Sequence, residues 1–459
     1  LKPLWAAAGP SHRATDPPTS TPDQPRPSLL PSDPTPRLLR TTPVQPRPTA
    51  SSPPRAWMLR PFGLALLCLG TPAAAEGPCD LGPWLHEAAA PGEEGYHVLC
   101  AATETEVHVY RGGVATDTPQ LLVHRGEDLR EQLAKLLKIR RRLSYRAHGK
   151  AKPMQWRKQP WALYTDDGVE LLPGEEAAAV AGPRPRTLLL FEGGIWRWPT
   201  MRVGYERRVL PNVVLRTVAR QPALFEVLLT PPGPQEDVQV AGDRLSTSLL
   251  TDVISVAKPR LEPSMTEGSV NTEVRSSEQT FLDYGSDPKL SELQRLTSAL
   301  LRAPMDNLWE FQVLRYKAGQ HYDAHRDYWD PREFPQVQRF TNSEGFWTMR
   351  HATLLWYLQA PGAGGETWFP RAHGGGVPHD DWMACDGRGV KVVPANATAV
   401  LFYNLRSDGD IDEYSWHCGC PVKRGVKWAA NSWLSNTPSR PRAWLHGARE
   451  RRADAGPEL

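Results

Sequence analysis

Residues 315–328 read Arg-Tyr-Lys-Ala-Gly-Gln-His-Tyr-Asp-Ala-His-Arg-Asp-Tyr, and they carry a metal-capable side chain at every second position. These side chains are His321, Asp323, His325 and Asp327. Alternate residues of a β-strand point to the same face of a sheet, so a strand here would present all four on one surface. The stretch therefore predicts a strand that carries metal ligands. The simpler interpretation is a polar, exposed strand edge.

Two His-x-Asp pairs compete within this stretch, His321 with Asp323 and His325 with Asp327. One imidazole and one carboxylate held two residues apart can occupy adjacent positions on a metal ion. A third ligand from elsewhere would complete a facial triad of two histidines and one carboxylate, the donor set of mononuclear non-heme iron. Because His-x-Asp is a short motif that also occurs by chance, the pattern leaves the choice of pair open.

A third ligand is expected far downstream, near the end of a strand. Residues 415–428 read Ser-Trp-His-Cys-Gly-Cys-Pro-Val-Lys-Arg-Gly-Val-Lys-Trp and supply His417 and, after a Pro/Gly turn, Lys427. We expect these two residues to lie on neighbouring strands that face one cavity. Burial disfavours the charged form of an isolated lysine, so a buried Lys427 indicates an anionic ligand beside it.

The composition and the first segments indicate a secreted globular protein. The 459 residues suffice for two domains, and the net charge of +3 is too small to require nucleic acid or a membrane as partner. Residues 1–57 are rich in Pro, Ser, Thr and Arg, which predicts a disordered upstream segment. Residues 58–75 start at the first methionine, contain the apolar run Phe62–Leu69 and end in three alanines, as is typical of a signal peptide.

We therefore expect a mature chain in the secretory pathway, in the lumen of the endoplasmic reticulum or the Golgi, without a membrane span. Of six cysteines, Cys68 lies in the predicted signal peptide. The other five allow at most two disulfides and leave one thiol free. The tripeptide Asn396-Ala-Thr398 predicts N-glycosylation at Asn396.

The remaining chain divides into two predicted domains and a basic tail over residues 438–459. Residues 76–215 combine strand candidates with a helical period, which indicates a small α/β accessory domain of unknown role; its elements are Val107–Tyr110, Glu127–Arg142 and Thr187–Phe191. Residues 216–437 carry two amphipathic helices, followed by short strands separated by turns; these are Ser246–Ala257, Pro288–Leu301, Trp309–Tyr316, Ala352–Leu358, Gly389–Val393 and Ala399–Tyr403. This order predicts an α+β fold, a double-stranded β-helix (jelly roll) with flanking helices.

Six sequence blocks occur in one order between residues 222 and 434. They are Ala257-Lys-Pro-Arg-Leu261, Glu273-Val-Arg-Ser-Ser-Glu278, Tyr316-x-x-Gly-Gln-x-Tyr322-x-x-His325-x-Asp327-Tyr328, Arg350-x-Ala-Thr353-Leu-Leu-x-Tyr357-Leu358, Gly364-Gly-Glu-Thr-x-Phe-Pro370 and His417-x-x-Cys-Pro-Val-x-x-Gly-x-Lys427-Trp428. Together they resemble the catalytic domain of the 2-oxoglutarate- and Fe(II)-dependent prolyl 4-hydroxylases, closest in pattern to the plant and algal enzymes.

The resemblance resolves the choice of pair, because the family's first ligand follows the Tyr of Gly-Gln-x-Tyr by three positions. It implies that the iron ligands are His325, Asp327 and His417. His321 and Asp323 are then neighbours without that role.

The resemblance also assigns roles around the iron. It implies that Lys427 pairs with the far carboxylate of 2-oxoglutarate, helped by the hydroxyls of Tyr316 and Thr353. Tyr322 and Trp433 match positions that line the peptide groove, where aromatic faces pack on a proline ring.

The implied activity is hydroxylation of peptidyl-proline to 4-hydroxyproline, with O2 and 2-oxoglutarate consumed, succinate and CO2 released, and ascorbate rescuing oxidised iron. Residues 332–347 and 373–382 align poorly with the family, so substrate choice is the least transferable inference. The same chemistry on another residue such as lysine, or on a small molecule, and a non-catalytic module that binds proline-rich chains, are the alternatives. The sequence does not indicate a partner subunit.

The plant and algal enzymes also have a cysteine pair at two matching positions. The resemblance implies a disulfide between Cys385 and Cys420, which leaves Cys418 beside the predicted iron ligand. Cys79 with Cys100 is the second expected pair.

Overall fold

The computed structural model describes residues 79, 81–86, 95–115, 118–126, 128–139, 161–181, 185–230, 247–265, 270–328, 349–374, 385 and 387–436. The predicted upstream segment, signal peptide and basic tail lie outside these residues, as does most of the two loops that align poorly with the family. Within the described ranges, no helix has the length and apolar character needed to cross a bilayer.

A six-stranded antiparallel sheet occupies the N-terminal part of the described chain. Its elements are β1 (Tyr96–Ala101), β2 (Glu106–Arg111), β3 (Gln120–Val123), α1 (Leu129–Leu136), β4 (Ala162–Thr165), β5 (Glu170–Leu171), α2 (Glu176–Val180) and β6 (Arg186–Phe191). The strand order is β3-β2-β1-β6-β4-β5. The predicted strands at 107–110 and 187–191 lie within β2 and β6, and the predicted helix is shorter than expected, ending at Leu136.

The central strands β1 and β6 are buried on both faces over most of their length, and their alternate side chains pack on opposite sides of the sheet. In β6, Leu188 and Leu190 pack with Leu129 and Leu133 of α1 in one apolar cluster. The alternate residues Leu189 and Phe191 belong instead to the large core cluster that continues into the rest of the protein.

The second part of the described chain contains the remaining strands and two longer helices. They are β7 (Glu206–Leu210), β8 (Val213–Ala219), β9 (Leu224–Leu229), α3 (Thr247–Ala257), β10 (Glu262–Pro263), β11 (Glu278–Leu282), α4 (Pro288–Leu301), β12 (Phe311–Tyr316), β13 (Tyr322–His325), β14 (Arg350–Gln359), β15 (Ala363–Gly364), β16 (Thr367–Phe369), β17 (Val390–Val392), β18 (Thr398–Tyr403), β19 (His417–Gly419), β20 (Val422–Arg424) and β21 (Lys427–Ser435). Two sheets form from these strands, with orders β10-β11-β12-β21-β14-β18-β9-β8-β7 and β13-β19-β16-β17. The strands β15 and β20 pair separately.

Strand β14 lies in the interior of the large sheet, between β21 and β18, and is buried on both faces. Leu354 and Trp356 point into the core shared with helices α3 and α4. The alternate residues Leu355 and Tyr357 pack on the opposite side with Phe369 of the small sheet. The two sheets therefore face each other and the helices cover the outer face, which confirms the predicted jelly roll with flanking helices.

Helix α4 begins and ends at the predicted residues. The side chain of Asp287 accepts a hydrogen bond from the backbone N–H of Lys289 at 2.8 Å, and Pro288 occupies the first turn, where its missing N–H costs nothing. Arg302 follows the last turn in the left-handed conformation. Leucines at helical spacing make one buried face; they are Leu290, Leu293, Leu296, Leu300 and Leu301.

The accessory sheet is joined to the jelly roll through buried tryptophans. Trp198 donates its backbone N–H to the hydroxyl of Tyr403 in β18 at 2.8 Å, and its indole N–H to the carbonyl of Leu300 in α4, also at 2.8 Å. Trp196 packs edge-on against Trp198 with ring centroids 5.2 Å apart. The predicted division at residues 215 and 216 stays a prediction, and this boundary falls inside β8, which pairs with β9 in the large sheet.

Trp356→Ala tests the packing between the large sheet and its helices. Trp356 is 1% exposed and its indole N–H donates to Ser432 at 3.3 Å. Because the truncation leaves a cavity and removes one of the two hydrogen bonds to Ser432 Oγ, which also accepts from the Tyr284 hydroxyl, we expect a loss of about 3–5 kcal/mol in the free energy of unfolding, measured by denaturant titration. The control Val393→Ala, at a residue that is 67% exposed, should change stability by less than about 0.5 kcal/mol. Equal effects of the two substitutions would contradict this assignment.

Candidate metal centre and cosubstrate pocket

Two strands of the small sheet place the predicted histidine ligands opposite each other. Strands β13 and β19 are antiparallel, His325 is the register partner of His417, and their ring centroids are 4.4 Å apart. Strand β13 ends at His325, so Asp327 extends from the bend that follows and not from the strand. The expectation that four alternate side chains share one strand face is therefore wrong for Asp327.

One ligand atom from each of His325, Asp327 and His417 lies within 4.8 Å of the others. The competing pair is engaged elsewhere: the Nε2 of His321 lies 3.2 Å from Asp323 Oδ1 and 3.0 Å from the carbonyl oxygen of Glu273. The structure thus brings together the three residues that the resemblance selects, and their role as metal ligands stays a prediction.

Both imidazoles have their Nε2 lone pair directed away from the backbone. The Nδ1–H of His325 donates to the carbonyl of Asp323 at 2.7 Å, and that of His417 to the carbonyl of Ser415 at 2.9 Å. A carbonyl oxygen can only accept, so each Nδ1 carries the proton. Burial lowers the pKa of both histidines. They are therefore neutral near pH 7, with Nε2 available as a metal donor.

The carboxylate of Asp327 is 5% exposed and is oriented by two donors from the large sheet. Its Oδ2 accepts the hydroxyl proton of Thr353 at 2.7 Å and the indole N–H of Trp433 at 3.0 Å. Thr353 in β14 and Trp433 in β21 are direct cross-strand partners, so a single cross-strand pair holds the carboxylate. Asn404 in turn donates to the Thr353 hydroxyl at 3.0 Å.

A buried guanidinium lies close to the other oxygen of this carboxylate. Arg350 Nη1 is 3.6 Å from Asp327 Oδ1, and the guanidinium lies 3.6 Å from the centroid of the Trp433 ring. Burial raises the pKa of Asp327, but the charge of Arg350 and the Thr353 hydrogen bond hold that pKa below its usual range. Asp327 is therefore ionised, and Oδ1, which is 3.6 Å from His325 Nε2, faces the histidine side of the site.

Thr353 and Trp433 are placed differently from what the resemblance implies. A threonine hydroxyl has one proton, and Thr353 donates it to Asp327, so it cannot at the same time donate to a cosubstrate carboxylate. Trp433 is 4% exposed and offers little surface to a peptide. In this structure both residues position the carboxylate.

Lys427 is buried between the two sheets, at 3% exposure. It begins β21, whereas His417 begins β19 of the small sheet, so the expectation that they lie on neighbouring strands is wrong. Its ammonium donates to the carbonyl of Gly365 at 2.7 Å and lies 5.5 Å from the ring centroid of Tyr316 and 5.3 Å from that of Tyr357. Burial lowers the pKa of Lys427 to about 8.

Tyr322 stacks on His325. Its ring centroid is 3.8 Å from that of His325 at an interplanar angle of 22°, and the guanidinium of Arg275 lies 4.4 Å from the Tyr322 centroid. Tyr322 is partly exposed, which is compatible with the predicted contact to a peptide. Arg275 and Arg350 occur in the sequence blocks, but the sequence predicted no role for either residue. Only the folded chain shows which side chains they contact.

The structure contains the two expected disulfides, Cys385–Cys420 and Cys79–Cys100. Cys418 is the free cysteine among the described residues and is buried. Asn396 is exposed, and its side-chain oxygen accepts the backbone N–H of Ala360 at 2.7 Å. Its glycosylation stays a prediction.

The part of the chain that carries these residues matches a known family model. Residues 311–435 match the model described as the 2OG-Fe(II) oxygenase superfamily. This segment is therefore similar to the 2OG-Fe(II) oxygenase superfamily. The donor set of two neutral imidazoles and one carboxylate fits Fe(II), and the buried Lys427 fits an anionic cosubstrate.

Among curated proteins, the chain is 36% identical over 190 residues to prolyl 4-hydroxylase 5 of Arabidopsis thaliana, covering 40% of this chain and 62% of that protein. It is 37% identical over 192 residues to prolyl 4-hydroxylase 2 of the same plant, covering 40% and 61%. The chain thus spans less than two thirds of these relatives. Among solved structures, a viral collagen prolyl hydroxylase of Paramecium Bursaria Chlorella virus-1 has 28% identity and a TM-score of 0.30, covering 42% of this chain and 91% of that one.

Thr353→Val tests the support of the carboxylate. Valine keeps the shape but removes the hydroxyl proton that Asp327 accepts, so we expect about 10- to 100-fold weaker binding of a divalent metal, measured by titration calorimetry with Co²⁺. Thr297→Val is the matched control, since Thr297 is equally buried but lies in α4. The idea fails if both variants bind Co²⁺ as tightly as the wild type.

Proposed function

We propose that this protein is a 2-oxoglutarate- and Fe(II)-dependent dioxygenase that hydroxylates peptidyl-proline to 4-hydroxyproline, releasing succinate and CO2. The observation that carries the proposal is the convergence of His325, Asp327 and His417 within 4.8 Å in a segment similar to the 2OG-Fe(II) oxygenase superfamily. The identity to named prolyl 4-hydroxylases supports peptidyl-proline as substrate.

In this proposal the two histidine Nε2 atoms and Asp327 Oδ1 would hold Fe(II), the donor set that non-heme iron oxygenases use. When bound, iron, 2-oxoglutarate and O2 supply the oxidising chemistry, and ascorbate restores iron that has become oxidised. The protein orients the ligands through the carbonyls of Asp323 and Ser415 and excludes water from a buried carboxylate.

Lys427 anchors the far carboxylate of 2-oxoglutarate. Within the described structure its ammonium is bonded to a neutral carbonyl and lies between two tyrosine rings, which leaves its charge without a carboxylate in hydrogen-bond contact. A dicarboxylate that binds between the two sheets would supply the negative charge that pairs with the ammonium of Lys427. Tyr316 is the cross-strand partner of Lys427, which supports a role for its hydroxyl beside the same anion.

The peptide enters over Tyr322, whose ring covers His325 and retains an exposed part. An aromatic face beside the metal suits the flat, apolar ring of proline. We further propose that the protein acts in the secretory pathway, in the endoplasmic reticulum lumen or Golgi. Two disulfides and an exposed Asn396 in a glycosylation sequon support this compartment.

Purified protein incubated with Fe(II), 2-oxoglutarate, ascorbate and a proline-rich peptide should release succinate and add one oxygen atom to the peptide, both followed by mass spectrometry. His325→Ala and His417→Ala should abolish both signals, because each removes one of three ligands. His108→Ala, in β2 of the accessory sheet, is the control and should remain active. Bound iron without turnover on any peptide would favour a binding module, and activity of either ligand variant would contradict the triad.

The pH dependence of 2-oxoglutarate binding tests Lys427. Because burial lowers its pKa to about 8, the ammonium is present below that pH and lost above it. We expect the KM for 2-oxoglutarate to be constant below about pH 8 and to rise about tenfold per pH unit above it.

Two variants at this position make the pH test specific. Lys427→Arg retains a charge over this range, so its KM should stay constant with pH. Lys427→Met should have a high KM at every pH. A wild-type KM that does not change between pH 7 and pH 10 would exclude Lys427 as the anchor.

A further inference from the structure

Three cysteine sulfurs meet beside the end of β19. The Sγ atoms of Cys385, Cys418 and Cys420 all lie within 4.8 Å of one another. Cys385 and Cys420 form a disulfide, and the free Cys418 Sγ is 3.8 Å from Cys385 Sγ. A disulfide needs only two cysteines, and the proposed hydroxylation gives the third, Cys418, no role.

The backbone holds these sulfurs on one side of the small sheet. Cys418 and Cys420 are two residues apart, which directs their side chains to the same face. Cys418 is the register partner of Trp368 in β16, and the backbone N–H of Cys420 donates to the carbonyl of Glu366 at 2.9 Å. Cys418, Cys420 and Trp368 form one small buried cluster, against which Cys385 packs.

The spacing suits a metal ion with three sulfur ligands. Metal–sulfur bonds of about 2.3 Å in a trigonal arrangement place the sulfurs about 4.0 Å apart. The Sγ atoms of Cys418 and Cys385 are 3.8 Å apart, which is close to this distance. The bonded pair must separate, and this follows when a thiol reductant is oxidised to its own disulfide and supplies two electrons and two protons, or when a phosphine supplies the two electrons, is oxidised to the phosphine oxide, and water supplies the oxygen and the two protons.

We propose that reduction of Cys385–Cys420 creates a three-thiolate site, formed with Cys418, for a thiophilic cation such as Cu⁺ or Zn²⁺. Binding displaces the thiol protons to solvent. Soft thiolate ligands favour these two ions over hard cations such as Mg²⁺ and Ca²⁺. The site adjoins the triad through His417, the residue before Cys418, so its occupancy couples the redox state of this cluster to the position of an iron ligand.

The test uses the full chain without iron. Protein reduced with a phosphine, then freed of reductant under argon, is titrated with Cd²⁺, whose thiolate complexes absorb in the ultraviolet. We expect one equivalent with thiolate absorption in reduced wild type and none in oxidised protein. The triad has no sulfur and is silent in this readout. Parallel titrations with Cu⁺ and with Zn²⁺, followed by metal analysis, identify the preferred ion.

Cys418→Ser is the decisive variant, because it keeps the disulfide and removes the third sulfur. Its affinity for Cd²⁺ after reduction should fall at least about 100-fold. A double Cys79→Ser, Cys100→Ser variant lacks the other disulfide and should bind as the wild type does.

Unchanged affinity in Cys418→Ser, or equal thiolate absorption in oxidised and reduced wild type, would overturn the proposal. Cys418→Ala, with circular dichroism of both variants, separates lost binding from lost folding. The outcome does not depend on hydroxylase activity, since no turnover is measured.

Discussion

The ionised carboxylate of Asp327, buried at 5% exposure, is the constraint on which the site depends. A buried charge is costly unless it is paired and hydrogen-bonded. Here the donors come from Thr353 in β14 and Trp433 in β21, which are opposite each other in the interior of the large sheet. The carboxylate is therefore held only when β14 and β21 are paired in the large sheet. The geometry of the site thus depends on the packing of the core.

The histidines depend on the other sheet. His325 and His417 are opposite residues of β13 and β19, and each donates its Nδ1 proton to a backbone carbonyl two residues before it. Phe402 of the large sheet lies 4.6 Å from the His417 ring centroid, so apolar packing sets the distance between the two halves of the triad. The geometry of the candidate metal site is thus a property of how the two sheets pack.

Local signals explain which elements were predictable. Helix α4 has its own N-cap, a proline in the first turn and one apolar face, and all of these can be recognised within the segment. Strand β14 is mostly apolar from Ala352 to Leu358, as is typical of a strand with both faces buried. Strands β7 to β9 were not predicted; they pair with one another in sequence order, and β9 joins them to the large sheet by pairing with β18, far along the chain.

The sequence by itself indicated the jelly roll and supplied the blocks whose resemblance to the prolyl 4-hydroxylases selected His325, Asp327, His417 and Lys427. The same resemblance implied the Cys385–Cys420 pair. Only the tertiary structure decided that Thr353 and Trp433 serve the carboxylate, that Lys427 and His417 lie in different sheets, and that Cys418 touches a disulfide. Spacing along a chain can specify ligand types, but contacts between distant strands exist only once those strands have paired.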